Sequence, residues 1–528
     1  MKKEKAEKKD LKVLDKITFK SFLDYLENHI LLIILTILIL FVTHGYLMFN
    51  NNIGIDTDSF ITIPEGNHNW LLIGRYGLVL EKYILNLDSY NIFFAETLFM
   101  MFLVVFCVVT YYAIYILSGK DFKLLNLVLP LVGLTHPLFV EQFIFLLQSA
   151  QISFTLFLTV LSILCIYKWV VDKKFIYGIF NIALLVLILG TYQSFIPVYI
   201  AFCVFAFILL CENNEFNFKD NKDFWVQILK LVSTFAVAFI IYQIILKCMK
   251  VDMGYLNQSN AWLRDNPINC IKRTYYHFLQ LLRAEGNYYN FGLPIALMGV
   301  LIIGIINSIK TKQNLNKFNK VIYFLVYGVF LATPLFLTLY LGNPAALRTQ
   351  FYLPVIEALA FILVGYYITK LPKFRSVAMV AAFVIICLVY FEQGSITSKL
   401  YYGDHQTREN DIQIAYELIH DMQEFGIKEG DMIYFYGHFD DKMNKSAMSG
   451  EAIGYSLFEN GWMMNPLYWF STESILKLFR ALGYEYTLMP SEFAEGAKEY
   501  AEEIEACWPE EGCMIKTDKY YVVKLAEQ

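Results

Sequence analysis

About eleven separate runs of some 20 mostly apolar residues divide this chain, and they leave it few ways to fold. They centre near residues 38, 104, 132, 160, 182, 203, 236, 299, 331, 360 and 383. A backbone in hydrocarbon has no water to bond, so each run must close its own hydrogen bonds as a helix. Hydrophobic residues make up 57% of the chain and charged residues only 17%, too few to cover a soluble surface. The sequence therefore predicts a polytopic α-helical membrane protein. The charged leader before the first run is long, and no small-residue cleavage site follows that run. The first run is accordingly expected to remain a span.

Orientation follows from the short loops, because lysine and arginine are retained on the cytoplasmic side. Residues 1–27 form a basic leader. Counting spans from it puts Lys120, Lys123, Lys168, Lys173, Lys174, Lys219, Lys222, Lys310, Lys312, Lys317, Lys320, Lys370, Lys373 and Arg375 on the same, inner side. Segments 49–90, 135–151, 190–196, 247–290 and 341–349 then face outward. Residues 28–391 read as the membrane domain, and an odd number of spans places 392–528 outside. The expected location is a bacterial plasma membrane, with the N-terminus cytoplasmic and the C-terminus extracytoplasmic.

Residues 392–528 change character and read as a small α/β domain. Ile412, Ile414, Ala415, Leu418, Ile419 and Met422 recur at helical spacing over Asp411–Phe425, and Asp431–Tyr436 reads as a buried strand. Ser471–Leu482 and Tyr484–Met489 repeat the pair, Glu492–Ala506 reads as an acidic helix, and Met514–Lys516 with Tyr520–Leu525 as a closing hairpin. This domain is acidic, so no nucleic-acid partner is expected. It carries no phosphate loop, zinc-protease helix or nucleophile elbow, which assigns it gating, docking or assembly. Of nine cysteines, Cys107, Cys165, Cys203, Cys211 and Cys387 lie in or beside spans and suit apolar packing. The outer pairs Cys248 and Cys270, and Cys507 and Cys513, are each free or bridged according to the habitat.

Loops from distant spans converge at one mouth of a helical bundle, so the outer segments are read together. Segment 49–90 begins with Gly54-Ile-Asp56-Thr-Asp58, two carboxylates just beyond the first run. Asp56 and Asp58 are catalytic candidates by position, and would be the metal ligands if a divalent cation takes part. No cofactor is required by the sequence. Trp70, Leu71, Leu78, Tyr83 and Ile84 suit a helix lying in the interface, with Trp70 touching lipid and Arg75 at headgroup depth. The planar fork of Arg75 matches phosphate oxygens. His136 and Glu141 stand close together at a span end, where an ionisable group usually faces the bundle interior; Glu141 is a third catalytic candidate, or a structural partner for an outer arginine. Gln148, Gln151, Tyr192 and Gln193 offer polar groups to a sugar, and Arg348 is a second cation for phosphate. Loop 247–290 reads as an interfacial helix hairpin, with Arg264, Lys272 and Arg273 touching anionic headgroups.

The acidic first outer loop, the Gly74-Arg75-Tyr76 motif, the Tyr192-Gln193 and Arg348 elements, and a tail running from Trp508-Pro509 to Val522-Val523-Lys524-Leu525 resemble the GtrII-like glucosyltransferase family over nearly the whole chain. That family is similar in layout to GT-C glycosyltransferases. The resemblance implies transfer of a hexose, glucose, from a polyprenyl-phosphate donor to a cell-envelope glycan such as an O-antigen polysaccharide. Arg75 and Arg348 would hold the leaving phosphate, with His136, Tyr192 and Gln193 nearby, while Asp56 or Asp58 takes the acceptor proton. A glycan polymerase would share such an outer site. A flippase or transporter would place polar residues near the midplane and show internal repeats.

Overall fold

The structure is a computed structural model and describes residues 17–50, 67–87, 91–213, 221–251, 260–310, 316–371, 373–439, 447–459 and 467–526. The apolar runs are helices. In chain order they are α1 (Ile30–Phe49), α2 (Tyr76–Ile84), α3 (Ile92–Ser118), α4 (Pro137–Phe143), α5 (Leu146–Asp172), α6 (Phe175–Thr191), α7 (Phe195–Glu212), α8 (Asn221–Cys248), α9 (Pro267–Arg283), α10 (Gly292–Lys310), α11 (Lys317–Ala332), α12 (Tyr352–Ile368) and α13 (Arg375–Phe425).

Eight helices among the described residues are long and apolar enough to cross a membrane, or nine if the bent pair Lys123–Leu134 and Pro137–Phe143 is one span. Two of the expected eleven runs, α6 and α12, are apolar helices of 17 residues. At 1.5 Å per residue each is about 25 Å long, short of a ~30 Å hydrocarbon core.

The bent pair turns by 60°. Its first half ends in a π-helical turn, Leu129–Leu134, with Pro130 inside it, so several carbonyls lose their ordinary helical donors. Other helices supply them. Gln393 Nε2 donates to Leu131 O at 3.0 Å, to Val132 O at 2.9 Å and to Thr135 Oγ1 at 2.9 Å. Thr397 Oγ1 donates to Thr135 O at 2.8 Å, and His44 Nε2 lies 2.7 Å from Leu134 O. Helices α1 and α13 thus hold a break that could not persist bare in lipid.

Basic and polar ends of the bundle separate. Lys370 pairs with Glu212 at 2.8 Å and lies over the Tyr366 ring. Burial, and then the like charges of Lys370 and Arg375, lower the Lys120 pKa, so the three cations share one end. The opposite end carries the starts of α2, α5, α7 and α12, the end of α6, and α4.

Helix α13 is 51 residues long and joins the last span to what the sequence reads as a separate helix over 411–425. No proline interrupts it, and about 77 Å of continuous helix results. Beyond it a four-stranded sheet has the order β2-β1-β4-β3. Here β1 is Met432–Tyr436, β2 Thr487–Leu488, β3 Met514–Lys516 and β4 Tyr521–Lys524. Strand β1 runs parallel to β2 and β4, while β3 and β4 form the expected hairpin. Helices α14 (Trp469–Ala481) and α15 (Ala494–Glu503) accompany the sheet. Ile433 and Phe435 pack with Ile475 and Phe479, whereas Tyr434 and Tyr436 pack with Ala497 and Ala501, so the strand is buried on both faces.

The segment expected to lie in the interface is instead docked. Helix α2 buries Leu78, Val79, Glu81 and Lys82, and leaves Leu80, Tyr83 and Ile84 exposed. A Cβ on Gly77 would stand 2.5 Å from both Leu187 O and Thr191 N of α6, backbone atoms that cannot step aside. Gly77→Ala is expected to cost about 1–3 kcal/mol and to lower the thermal midpoint of the detergent-solubilised chain. A midpoint equal to the parent's would mean that α2 does not rest on α6 in this way.

Candidate functional site

At the polar end, Arg75 ends the turn that Gly74 opens at φ +80° and that precedes α2. Its guanidinium lies 4.5 Å above the Tyr192 ring, and Nη1 reaches Gln148 Oε1 at 3.5 Å. Three segments distant in the chain therefore meet at one cation. Tyr192 is buried and half-buried Arg75 covers it, leaving a planar donor fork on an aromatic platform. Gln193 donates from Nε2 to Tyr242 OH at 2.8 Å. The Tyr192 ring is 6.0 Å from Phe351, which stands 6.1 Å from Phe139 of α4 and follows the short turn Leu347–Thr349 that carries Arg348.

Arg348 and Glu141 are both engaged by one loop, residues 447–458. The Arg348 guanidinium pairs with the Glu451 carboxylate, whose second oxygen accepts Leu347 N–H at 2.6 Å. Glu141 is fully buried. Its Oε1 accepts from Glu451 N–H at 2.7 Å and from Tyr288 O–H, and its Oε2 accepts from Ala452 N–H at 2.7 Å. Burial, then the Glu141 charge, push the Tyr288 phenol far above its ordinary range, so it stays a donor. A buried carboxylate is tolerated only when hydrogen-bonded, and three donors meet that need. With its lone pairs so occupied, Glu141 holds a loop in this arrangement. The donors are two backbone amides and a tyrosine, where the sequence pointed to a substrate proton or an arginine.

His136 is also structural here. It caps α4 by accepting Leu138 N–H at Nδ1, 3.2 Å, and its Nε2 lies 4.0 Å from Glu357 Oε2, with both side chains buried. Asn290 Nδ2 donates to that Glu357 oxygen at 3.1 Å. Glu357 was not singled out by the sequence reading, and neither were two other buried carboxylates. Glu81 accepts from Thr155 Oγ1 at 2.9 Å and Thr191 Oγ1 at 3.1 Å, and Glu96 accepts from Ser149 Oγ at 2.8 Å. A lone acid inside an apolar run was the available signal.

Asp56 and Asp58 lie outside the described residues. Among the described residues no three His, Cys, Asp or Glu side chains gather to hold a metal. Trp70 is buried against Leu78 and Val79, so it does not meet lipid as expected; the rigid docking of α2 encloses it. The hairpin expected over loop 247–290 falls partly on 252–259, outside the described residues; the rest carries a short 3₁₀ turn, Ala261–Leu263, and helix α9. Ile268, Ile271, Tyr275, Phe278 and Leu282 form an exposed apolar stripe along it, and Cys270, His277 and Leu281 face inward. Arg264 and Lys272 are exposed beside this stripe, as a headgroup contact requires, whereas Arg273 pairs with Asp265. All nine cysteines are free thiols, so neither outer pair is bridged.

Helix α9 reaches the Arg348 loop through a buried relay. Tyr289 O–H donates to Gln350 Oε1 at 3.0 Å and therefore accepts from His277 Nε2 at 3.2 Å, which leaves Nδ1 to accept from Thr338 at 2.7 Å. Burial lowers His277 to about 4, well below its ordinary 6.5. A base with a depressed folded pKa contributes stability that is complete above its unfolded value and is lost as pH falls from about 6.5 toward 4. The thermal midpoint of the solubilised chain is expected to decline over that window, and His277→Gln to flatten the decline. Equal slopes in parent and variant would remove His277 as the cause.

A family model described as Glucosyl transferase GtrII matches residues 45–365. The match takes in α2 to α12, including Arg75, Glu141, Tyr192 and Arg348, but not the tail from Trp508 to Leu525, so the likeness is narrower than the whole-chain extent expected. No curated protein and no solved structure matches the chain. The matched region is more than half of the 528 residues, and the chain belongs to the GtrII glucosyl transferase family.

Proposed function

We propose that the protein transfers glucose from a polyprenyl-phosphate donor to a cell-envelope glycan on the extracytoplasmic face of a bacterial plasma membrane. The gathering of Arg75, Tyr192 and Gln148 at one end of a glucosyl transferase bundle carries this reading. A donor with its phosphate at headgroup depth presents the anomeric carbon just outside the membrane. Cations there offset the charge that grows on the departing phosphate. The acceptor oxygen attacks the anomeric carbon, the bond to phosphate breaks, and the acceptor proton passes to a carboxylate.

Asp56 or Asp58 takes the role of base. Their segment follows α1 directly, and α1 ends at the same polar end as Arg75. Arg75 and Arg348 hold the phosphate, and Tyr192 and Gln148 border the sugar. The separation of lysine-rich and polar ends supports an inner N-terminus and an outer mouth. Counting α6, α12 and the bent pair as membrane crossings gives eleven spans and an outer C-terminus, with the α/β domain following α13 rather than starting at residue 392. The apolar stripe of α9 then lies on the outer leaflet.

Asp56→Asn and Asp58→Asn are expected to differ, with one of them losing two orders of magnitude or more of glucosyl transfer at normal membrane insertion, in line with the roughly 10²–10⁴-fold share of a general base. Transfer from a radiolabelled polyprenyl-phosphate glucose donor in isolated membranes measures this, and full activity in both variants removes the aspartates. Arg75→Ala is expected to raise the donor KM and lower kcat together. An unchanged kcat/KM would take Arg75 out of the phosphate site.

A further inference from the structure

Residues 447–458 form a strap between two sets of anchors. On one side α13 holds it: Asp404 Oδ1 accepts Gly454 N–H at 3.1 Å, Thr407 Oγ1 donates to Gly454 O at 3.2 Å, and Asp411 accepts from Ser456 Oγ at 2.6 Å and Leu457 N–H at 2.9 Å. On the other side the bundle holds it through Glu141, Tyr288, Leu347 and Arg348. The strap lies outside the family-matched residues, yet its contacts in the bundle lie within them.

Both anchor sets include buried groups, Glu141 and Ile453 among them on the bundle side, and the Arg348–Glu451 pair is the one that solvent reaches. Those on α13 are buried, with Asp411 fully enclosed and Asp404 at 4% exposure. The Arg348 and Glu451 side chains are 24% and 27% exposed, so water and solutes reach this pair. A partly exposed ion pair is open to exchange, and another anion can replace one partner. Glu451 sits as an anionic ligand would, with a guanidinium on one oxygen and a backbone N–H on the other. Glycines at 450 and 454, the latter at φ +76°, lie on either side of the Glu451–Ile453 turn and give it freedom to move. Gly450 also passes so close to Glu141 and Tyr288 that a side chain there has no room.

We propose that the Glu451 carboxylate occupies the seat of a lipid-linked phosphate, and that residues 447–453 are a lid which that phosphate displaces. Displacement takes Glu451 off the Arg348 guanidinium and the Leu347 N–H, which the phosphate then engages. It also takes the Glu451 and Ala452 amides off Glu141, which then faces the mouth with Tyr288 as its remaining donor. One movement thus uncovers a cation and a carboxylate together, while the α13 anchors keep residues 454–458 in place. This rests on the reading of Arg348 as a phosphate ligand given above.

The test uses the full chain in phosphatidylcholine nanodiscs, with undecaprenyl phosphate as the probe and phosphatidylglycerol at equal charge as its control. Hydrogen exchange over 447–453 is expected to rise when undecaprenyl phosphate is added, while that over 454–458 stays unchanged. Glu451→Gln is expected to bind the probe about three- to tenfold more tightly than the parent, because no carboxylate competes for Arg348. Arg348→Gln is expected to lose at least tenfold in both backgrounds. Unchanged exchange in the parent with the probe bound, or parent-strength binding by Glu451→Gln, overturns the lid and leaves Arg348 as a phosphate ligand if Arg348→Gln still loses affinity. Parent-strength binding by Arg348→Gln overturns the seat and the phosphate role of Arg348 together. Opening by phosphatidylglycerol alone, with none by undecaprenyl phosphate, overturns the lipid-linked donor as the displacing anion. The exchange experiment needs no substitution, so a variant that misfolds leaves the test intact.

Discussion

The buried Glu141 carboxylate is the constraint around which the polar end is arranged. A charge enclosed by protein must be met by donors, and here they come from two backbone amides of a distant loop and one tyrosine. Those amides fix where residues 451 and 452 can be, which in turn puts the Glu451 side chain on Arg348. The loop then reaches back to α13, whose own polar residues cap the broken span that carries Glu141 on its far half. Each contact positions the next in a closed circuit from α4 through the strap and α13 and back to α4.

That circuit joins the family-matched part of the chain with a part beyond the match. The GtrII match ends at residue 365, before α13 begins. Helix α13 nevertheless supplies the donors that satisfy the carbonyls of the π-helical turn, and it anchors the strap. The C-terminal segment thus performs two services in this chain, closing a break in the bundle and covering its polar mouth. A single unbroken helix suits both, because it transmits position over its whole length without a flexible joint.

Much of the fold was legible from local composition. Ten of the eleven apolar runs lie on α-helices and the one near residue 132 on the bent pair, and β1, α14, α15 and the β3–β4 hairpin appear near the places their patterns indicated. The misreadings share a cause. Trp70 was assigned to lipid because its segment is amphipathic, but a glycine at 77 allows the helix to sink onto the backbone of α6. The helix over 411–425 was separated from the last span because composition changes there, although nothing in the backbone chemistry breaks it. Arg75, Tyr192 and Gln148, read from separate loops, are in contact, since loops alternating between the two ends of a bundle collect in this way. Glu81, Glu96 and Glu357 lie inside apolar runs, and their partners are serine and threonine residues on other helices and an asparagine in the α9–α10 connection, all distant in the chain.

The sequence by itself determined that this chain crosses a membrane, which of its segments share an end, and that its chemistry belongs with sugar transfer. These follow from hydropathy, charge distribution and short motifs, all of which are local. Only the tertiary structure decided that Glu141 and Arg348 face the same strap, that His136 caps a helix beside Glu357, and that Arg75 rests on Tyr192. The partners of Glu141 lie 310 and 311 residues away in the chain, a distance over which no spacing rule operates. A buried carboxylate announces that it needs donors, but which backbone amides answer is settled by packing.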